Sequence, residues 1–229
     1  MMVSINQPAY LPWLGYFDRI AKSDKHLVLD HVQFEKNSMV NRNKIKTANG
    51  WCWLTIPLKT AGQFGDLAIN KVQINNSQNW QKKHWNSIYF NYKKSPFFER
   101  YAEQLESFYQ QKWDSLGAAL KWQLSFFLEA LGISTPVVYS SDADYQLTKS
   151  ELVLEICQAH QASTYLSGPF GRDYLDHQAF VQQEIEVRFQ DYNHPAYQQL
   201  HGDFISHLSV LDLLCNHGVR SKEILISNK

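Results

Sequence analysis

Residues 2–30 read MVSINQPAYLPWLGYFDRIAKSDKHLVLD, and the periodicity changes twice within them. Val3 and Ile5 mark a short apolar strand, and Pro8 and Pro12 bracket a loop. Leu14, Phe17, Ile20 and Ala21 then recur at helical spacing, and Leu27-Val28-Leu29 opens a second strand. Strand, loop, helix, strand is a βαβ unit, whose two strands lie parallel with a right-handed crossover. Pro12 is expected in the first helical turn, where its missing N–H costs nothing.

Working outward, residues 43–57 predict a hairpin. Asn49-Gly50 tolerates positive φ, and Trp51, Trp53 and Thr55 alternate with Cys52, Leu54 and Ile56. A polar loop follows from Lys59 to Asp66, then a strand at Val72–Ile74. From Gln78 to Leu131 the spacing is helical. Ser95-Pro96 divides two helices by a cap and an N1 proline, Asp114 starts a third, and Gly132 ends it. The aromatics there (Trp85, Tyr89, Phe97, Tyr101, Phe108, Trp122, Phe126) read as packing within a helical lobe.

The βα rhythm then returns. Pro136–Tyr139 is a strand, and Thr148-x-x-Glu151 is a capping box before a helix to about Gln161. Thr164–Leu166 and Ile185–Phe189 are strands, and Ser209–Asn216 is a final helix stopped by Gly218. The expected fold is α/β, a mostly parallel Rossmann-like sheet with a β-hairpin and a helical insertion. A nucleotidylyltransferase-like layout is one form of it. The expected organisation is one α/β domain over 1–229, with 78–131 as a helical lobe inserted in it.

The 22 basic and 22 acidic residues cancel, which removes the usual electrostatic basis for binding nucleic acid or an anionic membrane. No apolar run reaches about 18 residues, so no membrane span is expected, and the N-terminus has no signal-peptide pattern. Cys52, Cys157 and Cys215 are too scattered for a disulfide framework, and the chain reads as cytoplasmic. The nine histidines fit no ligand spacing such as HExxH, so no metal is expected. His84 is a possible base or an exposed helix residue; Cys157 and Cys215 read as core.

Ligands of open α/β sheets bind beyond the carboxyl ends of the strands. Asn6–Gly15 and Ser167–Asp173 fall there. The second segment combines Ser167, two glycines and Arg172, a loop able to cradle phosphate or carboxylate, or a plain connection. Where nucleotidylyltransferases carry HxGH, this chain has Trp13-Leu14-Gly15-Tyr16 and neither imidazole. Arg42, Lys44 and Lys46 share one face of an extended strand, either as a cationic stripe for an anion or as a solvated face.

Several segments together resemble the WbqC-like proteins of bacterial surface-polysaccharide clusters. They are QPAYLPWLGYFDRI (7–20), LDHVQFEKNSMVNRNKIK (29–46), WLTIPL (53–58), KKHW (82–85), SPFFERY (95–101), YLSGPFGRDYLD (165–176), FQDYNHPAYQQ (189–199) and LSVLDLLCNHG (208–218). The resemblance implies a transferase role in O-antigen (lipopolysaccharide) or related glycan assembly, with addition of glycine or another acyl group to an amino sugar. Its matching positions are Gln7, Tyr10, Trp13, Gly15 and Tyr16; Asp30, Gln33, Asn41, Arg42, Asn43 and Lys46; and Ser167, Gly168, His194 and Tyr197.

On this reading Arg42 and Lys46 hold a pyrophosphate or carboxylate, and one of them also partners Asp30. Gln7, Asn41 and Tyr10 orient the sugar, and Trp13 and Tyr16 stack on a base or sugar face. Asp30 or His194 takes a proton from the attacking amine. The implied partner is a small molecule such as a nucleotide-sugar; the sequence leaves any cofactor open. A non-catalytic scaffold with a degenerate fold, and an ATP-dependent acyl-activating enzyme, stay open as alternatives.

Overall fold

The computed structural model describes residues 1–62, 65 and 67–227. In chain order the elements are β1 (Met2–Asn6), α1 (Leu14–Ala21), β2 (Lys25–Val28), β3 (Arg42–Thr47) and β4 (Gly50–Thr55). Three helices follow, α2 (Trp80–Tyr92), α3 (Phe98–Gln110) and α4 (Leu116–Leu131). Then come β5 (Val137–Tyr139), α5 (Lys149–Ala159), β6 (Thr164–Ser167), α6 (His177–Gln182), β7 (Glu186–Phe189), α7 (Val210–His217) and α8 (Ser221–Ile226).

The main sheet has the order β5-β2-β1-β6-β7, with every pairing parallel. Counting only its own strands, that is 3-2-1-4-5, a Rossmann-like order. Both faces are covered because the side chains alternate. Val3, Ile5 and Leu27 pack with Leu152, Ile156 and Phe180 of α5 and α6. Val28 joins the opposite core, with Phe17 of α1, the helices α2–α4, and Leu213 of α7. Ser4 and His26 share that second face, and the Ser4 hydroxyl bonds His26 Nδ1 at 2.8 Å.

Chain direction along the sheet reverses at β1: the path from β1 goes to β2 and β5, then crosses back to β6 and β7. The carboxyl ends of β1 and β6 therefore flank the topological switch point, where crossover loops part and leave a crevice.

The hairpin β3–β4 is antiparallel, with Thr47 opposite Gly50. Ala48 and Asn49 form the turn, and Gly50, at φ 110°, takes the conformation that glycine allows. Trp51 and Trp53 are not core: they are 46% and 39% exposed. Lys44 lies over both rings and Arg42 over Trp53, so two members of the predicted stripe form a cation–π ladder, while the third, Lys46, is buried.

Other expectations need correcting. Pro12 stands before α1, because its carbonyl accepts the N–H of Val210 and Trp13 bridges Ser209. Residues 72–74 make only isolated bridges, to Leu58 and Ser115, and form no strand. Pro96 is outside α3, which begins at Phe98, since the Phe97 N–H is drawn to the Cys215 carbonyl. Ser115, not Asp114, caps α4 by accepting the Ala118 N–H, and Gly132 ends that helix at φ 64° as expected. Thr148 precedes α5, but its side chain makes no capping bond, with Lys149 at φ 54°. The helix at 210 is followed by α8. The predicted loop from Lys59 to Asp66 includes 63, 64 and 66, which lie outside the described residues.

Among the described residues no helix is long and apolar enough to cross a membrane.

Candidate functional site at the switch point

Beyond the end of β1 lies a cleft of about 260 Å³, lined by Asn6, Gln7, Trp13, Tyr16, Arg19 and Met39 among others. The turn from Gln7 to Pro12 leaves the sheet here, and α1 runs back from it, which places Trp13, Tyr16 and Arg19 on one side. Residues 38–40 form the opposite wall, tied to it by the Tyr10 N–H donating to the Met39 carbonyl. Four of the predicted site residues meet here: Gln7, Trp13 and Tyr16 as lining, and Gly15 as support.

Gly15 is required by a close approach. A Cβ there would stand 2.2 Å from the Trp13 ring, so the indole lies flat across the first turn of α1. Tyr16 is buried with its hydroxyl unpartnered among the described residues, as is Asn6 Oδ1. Burial raises the Tyr16 phenol pKa, so it stays protonated and able to donate. Beneath it, burial and then the Arg19 charge hold His26 down to about 3, so that imidazole is neutral.

Arg19 is the residue that sequence reasoning missed. Its Nε donates to Gln190 Oε1 at 3.0 Å, and Gln190 Nε2 in turn donates to the Gly15 carbonyl at 2.9 Å and to Asp18 Oδ2 at 2.7 Å. Asp18, fully buried, is ion-paired with Lys22 at 2.9 Å. Burial lowers the Arg19 pKa from its usual value without threatening its charge. Gly168, after β6, sits against the guanidinium, so that a Cβ would meet Nη1 at 2.7 Å and Nη2 at 3.0 Å. Gly168 thus supports the cleft through Arg19. The Ser167 hydroxyl, nearly fully buried, turns to the Gly168 carbonyl. The sequence signals for Arg19 were its place in the helix expected after Pro12 and its inclusion in the family-resembling stretch 7–20.

The remaining predicted residues are elsewhere. Tyr10 is fully buried; its hydroxyl bonds His84 Nδ1 at 2.8 Å and the Tyr109 hydroxyl at 2.7 Å. It cannot orient a sugar without unfolding that network, and His84 is a buried partner rather than an exposed helix residue. Asn41 donates to the Ile56 carbonyl and Asn43 to the Leu11 carbonyl, both buried and structural. Gln33 accepts from the Leu67 N–H and donates to the Phe34 carbonyl. Asp30 takes no bond from Arg42 or Lys46. Its carboxylate accepts from the Ser140 hydroxyl, the Ser141 N–H and the Ser141 hydroxyl, joining the ends of β2 and β5. Arg42 donates to the Asn37 carbonyl, beside a separate depression of about 250 Å³.

A second cluster adjoins the cleft through Trp13. His207 stacks on Trp13 at 5.3 Å between centroids, His194 packs on His207 at 5.0 Å, and Tyr197 stacks on His194 at 6.1 Å. His194 Nδ1 contacts the Pro195 carbonyl at 2.9 Å, while its buried Nε2 has no partner among the described residues. Burial lowers the His194 pKa, leaving a neutral imidazole at neutral pH.

Behind this stack, Lys46 is 1% exposed, its ammonium donating to Gln199 Oε1 at 3.0 Å and to the Asp203 carbonyl. Asp212 is buried next to Lys46, Tyr92 and Tyr197, its carboxylate without a hydrogen bond of normal geometry among the described residues. Burial, opposed by the tyrosines and Lys46, puts its pKa at about 6. Among the described residues no group of three His, Cys, Asp or Glu side chains is arranged to hold a metal.

Together, the strand order and the cleft define a doubly wound α/β protein with a small polar-aromatic cleft at its switch point. The WbqC-like protein family model matches residues 7–224, and the chain belongs to that family. It is similar to the uncharacterized protein Rv1507c of Mycobacterium tuberculosis, at 36% identity over 225 residues, covering 97% of this chain and 96% of that protein. No solved structure matches it.

Proposed function

We propose that this protein is a cytoplasmic transferase of surface-glycan assembly that binds a nucleotide-linked amino sugar in the switch-point cleft. It joins the sugar's amine to glycine or another acyl group. The observation that carries this reading is the cleft itself, lined by Asn6 and Tyr16, which have buried polar atoms without partners among the described residues, beside an indole and an arginine. Unsatisfied buried polar groups are costly, and a hydroxylated ligand offsets that cost when it binds. The Trp13 indole, its faces held by Gly15 and His207, offers the cleft an apolar edge against which a sugar or base can pack.

Of the two candidate bases, His194 fits the chemistry better. It is neutral and its Nε2 has no partner among the described residues, whereas the Asp30 carboxylate already accepts three bonds. His207 and Trp13 stand between His194 and the cleft, so the proton reaches it by a water relay. The amine attacks the acyl carbon, its proton passes to the base, and the acyl leaving group departs with its electron pair.

Thermal melting with UDP- and dTDP-linked amino sugars, CTP and ATP tests the reading. A ligand at 100 times its Kd stabilises the native state by about 2.7 kcal/mol, a visible shift. Stabilisation by a nucleotide-sugar is expected. Stabilisation by ATP alone turns the assignment to acyl activation, and no shift turns it to a scaffold.

A further inference from the structure

We infer that the Arg19 guanidinium is the anion site of the cleft and holds the diphosphate of the ligand bound there, a role that sequence reasoning gave to Arg42 and Lys46. That the anion is a diphosphate rests on the function proposed above; that Arg19 is an oxyanion site stands on the geometry alone.

The Arg19 guanidinium is partly withdrawn from water, and proteins place arginine in such positions chiefly to pair with carboxylate or phosphate. Arg19 has one acceptor among the described residues, Gln190 Oε1, which takes only Nε–H. The adjacent Asp18 carboxylate is committed to Lys22 and Gln190. Among the described residues, Nη1 and Nη2 therefore present a fork with no protein oxyanion against it, in a residue that lines the cleft.

The Gln190 side chain sets the direction of that fork, since it grips Arg19 and α1 at once. On the β6 side the fork lies against Gly168, where an added side chain would collide with it, with Tyr165 and Tyr174 nearby. This is the crevice in which doubly wound folds hold phosphates. The alternative cations are engaged elsewhere: Arg42 with Asn37 and Trp53, Lys46 with Gln199 and Asp203.

The test is calorimetry and ³¹P NMR on the full chain with pyrophosphate, a UDP-linked amino sugar, farnesyl diphosphate and glycine. Wild type is compared with Arg19→Gln, Arg19→Lys, Gly168→Ala and Arg42→Ala. Loss of a charged bidentate contact should raise Kd for pyrophosphate and the UDP-sugar about 10- to 100-fold in Arg19→Gln. Gly168→Ala, which keeps the charge and displaces the fork, should act in the same direction, and Arg42→Ala should change Kd less than about threefold.

If Arg19→Gln does not fold, Gly168→Ala and the wild-type ³¹P shift decide the matter. Unchanged pyrophosphate binding in folded Arg19→Gln or Gly168→Ala overturns the inference, as does glycine binding through Arg19 where pyrophosphate does not. Arg19-dependent binding of pyrophosphate without the UDP-sugar sustains the anion site but sinks the nucleotide-sugar reading. Farnesyl diphosphate binding in its place assigns the diphosphate to a lipid carrier. UDP-sugar binding that ignores Arg19 does the reverse, keeping the function and removing the site.

Discussion

The Tyr10 hydroxyl bonds Nδ1 of His84 at 2.8 Å, fastening the loop after β1 to the middle of α2 across 74 positions of chain. The Tyr109 hydroxyl completes the chain of bonds at 2.7 Å, so three aromatic residues from three segments satisfy one another in a dry core. The loop that lines the cleft is thereby anchored to the helical insertion.

Tyr10→Phe should therefore behave as a stability variant rather than a binding variant. It strips a partner from His84 and from Tyr109, an expected cost of about 1–3 kcal/mol. Urea unfolding measures the loss, and ligand affinity in the cleft should stay within about twofold. A large affinity loss at unchanged stability would return Tyr10 to the site.

Acid should weaken the fold through two histidines. Burial holds His26 to about 3 and His84 to about 4, while the unfolded chain titrates near 6.5. Both pKa values are depressed on folding, so the unfolded state binds more protons below 6.5. Stability then falls with pH by up to about 1.4 kcal/mol per unit for each, levelling below about 4 for His84 and about 3 for His26.

Asp212 has the opposite sign. Its folded value, about 6, lies above its ordinary 3.8, so its contribution is present at low pH and lost as pH rises through 6. Asp212→Asn should thus steepen the acid loss between pH 4 and 6. Unfolding midpoints across pH 4–7 check both statements, and a flat profile in the variant refutes them.

Lys46→Met should release the segment 190–208. The buried ammonium supports that segment through Gln199 and the Asp203 carbonyl, and charged hydrogen bonds of this kind contribute about 1.5–3 kcal/mol each. Hydrogen exchange there should accelerate at least tenfold while β1 and β6 stay protected. Unaltered exchange would show that other contacts hold the segment.

Gly15→Ala should displace the Trp13 indole, since the added methyl has no room beneath the ring. Overpacking of this kind costs about 1–3 kcal/mol. Tryptophan fluorescence and the melting temperature should both change, and any ligand in the cleft that packs against Trp13 should bind more weakly.

Strand and helix identities were legible where periodicity runs over several residues, as in β1, α1, β5 and α5. Failures came where a distant partner overrode a local signal. Pro12 was drawn out of α1 by Val210, and Phe97 was drawn to Cys215 and ended the expected N1 proline. The cation stripe of 42, 44 and 46 was placed correctly on one strand face. Its members nonetheless divide into two that lie over exposed tryptophans and one that is buried, because residues 199–203 cover only one end of the strand.

Sequence by itself determined the α/β class, the hairpin, the helical insertion and the two loops at the carboxyl edge, since each follows from patterns within some ten to twenty residues. Tertiary structure alone decided which polar side chains are free to meet a ligand. Arg19 is held by Gln190 from 171 positions away, and Lys46 is claimed by Gln199 from 153. A charged side chain serves a site only when the fold does not already satisfy it. The acceptors that satisfy it lie on segments whose proximity is set by sheet order and core packing, beyond the reach of local pattern.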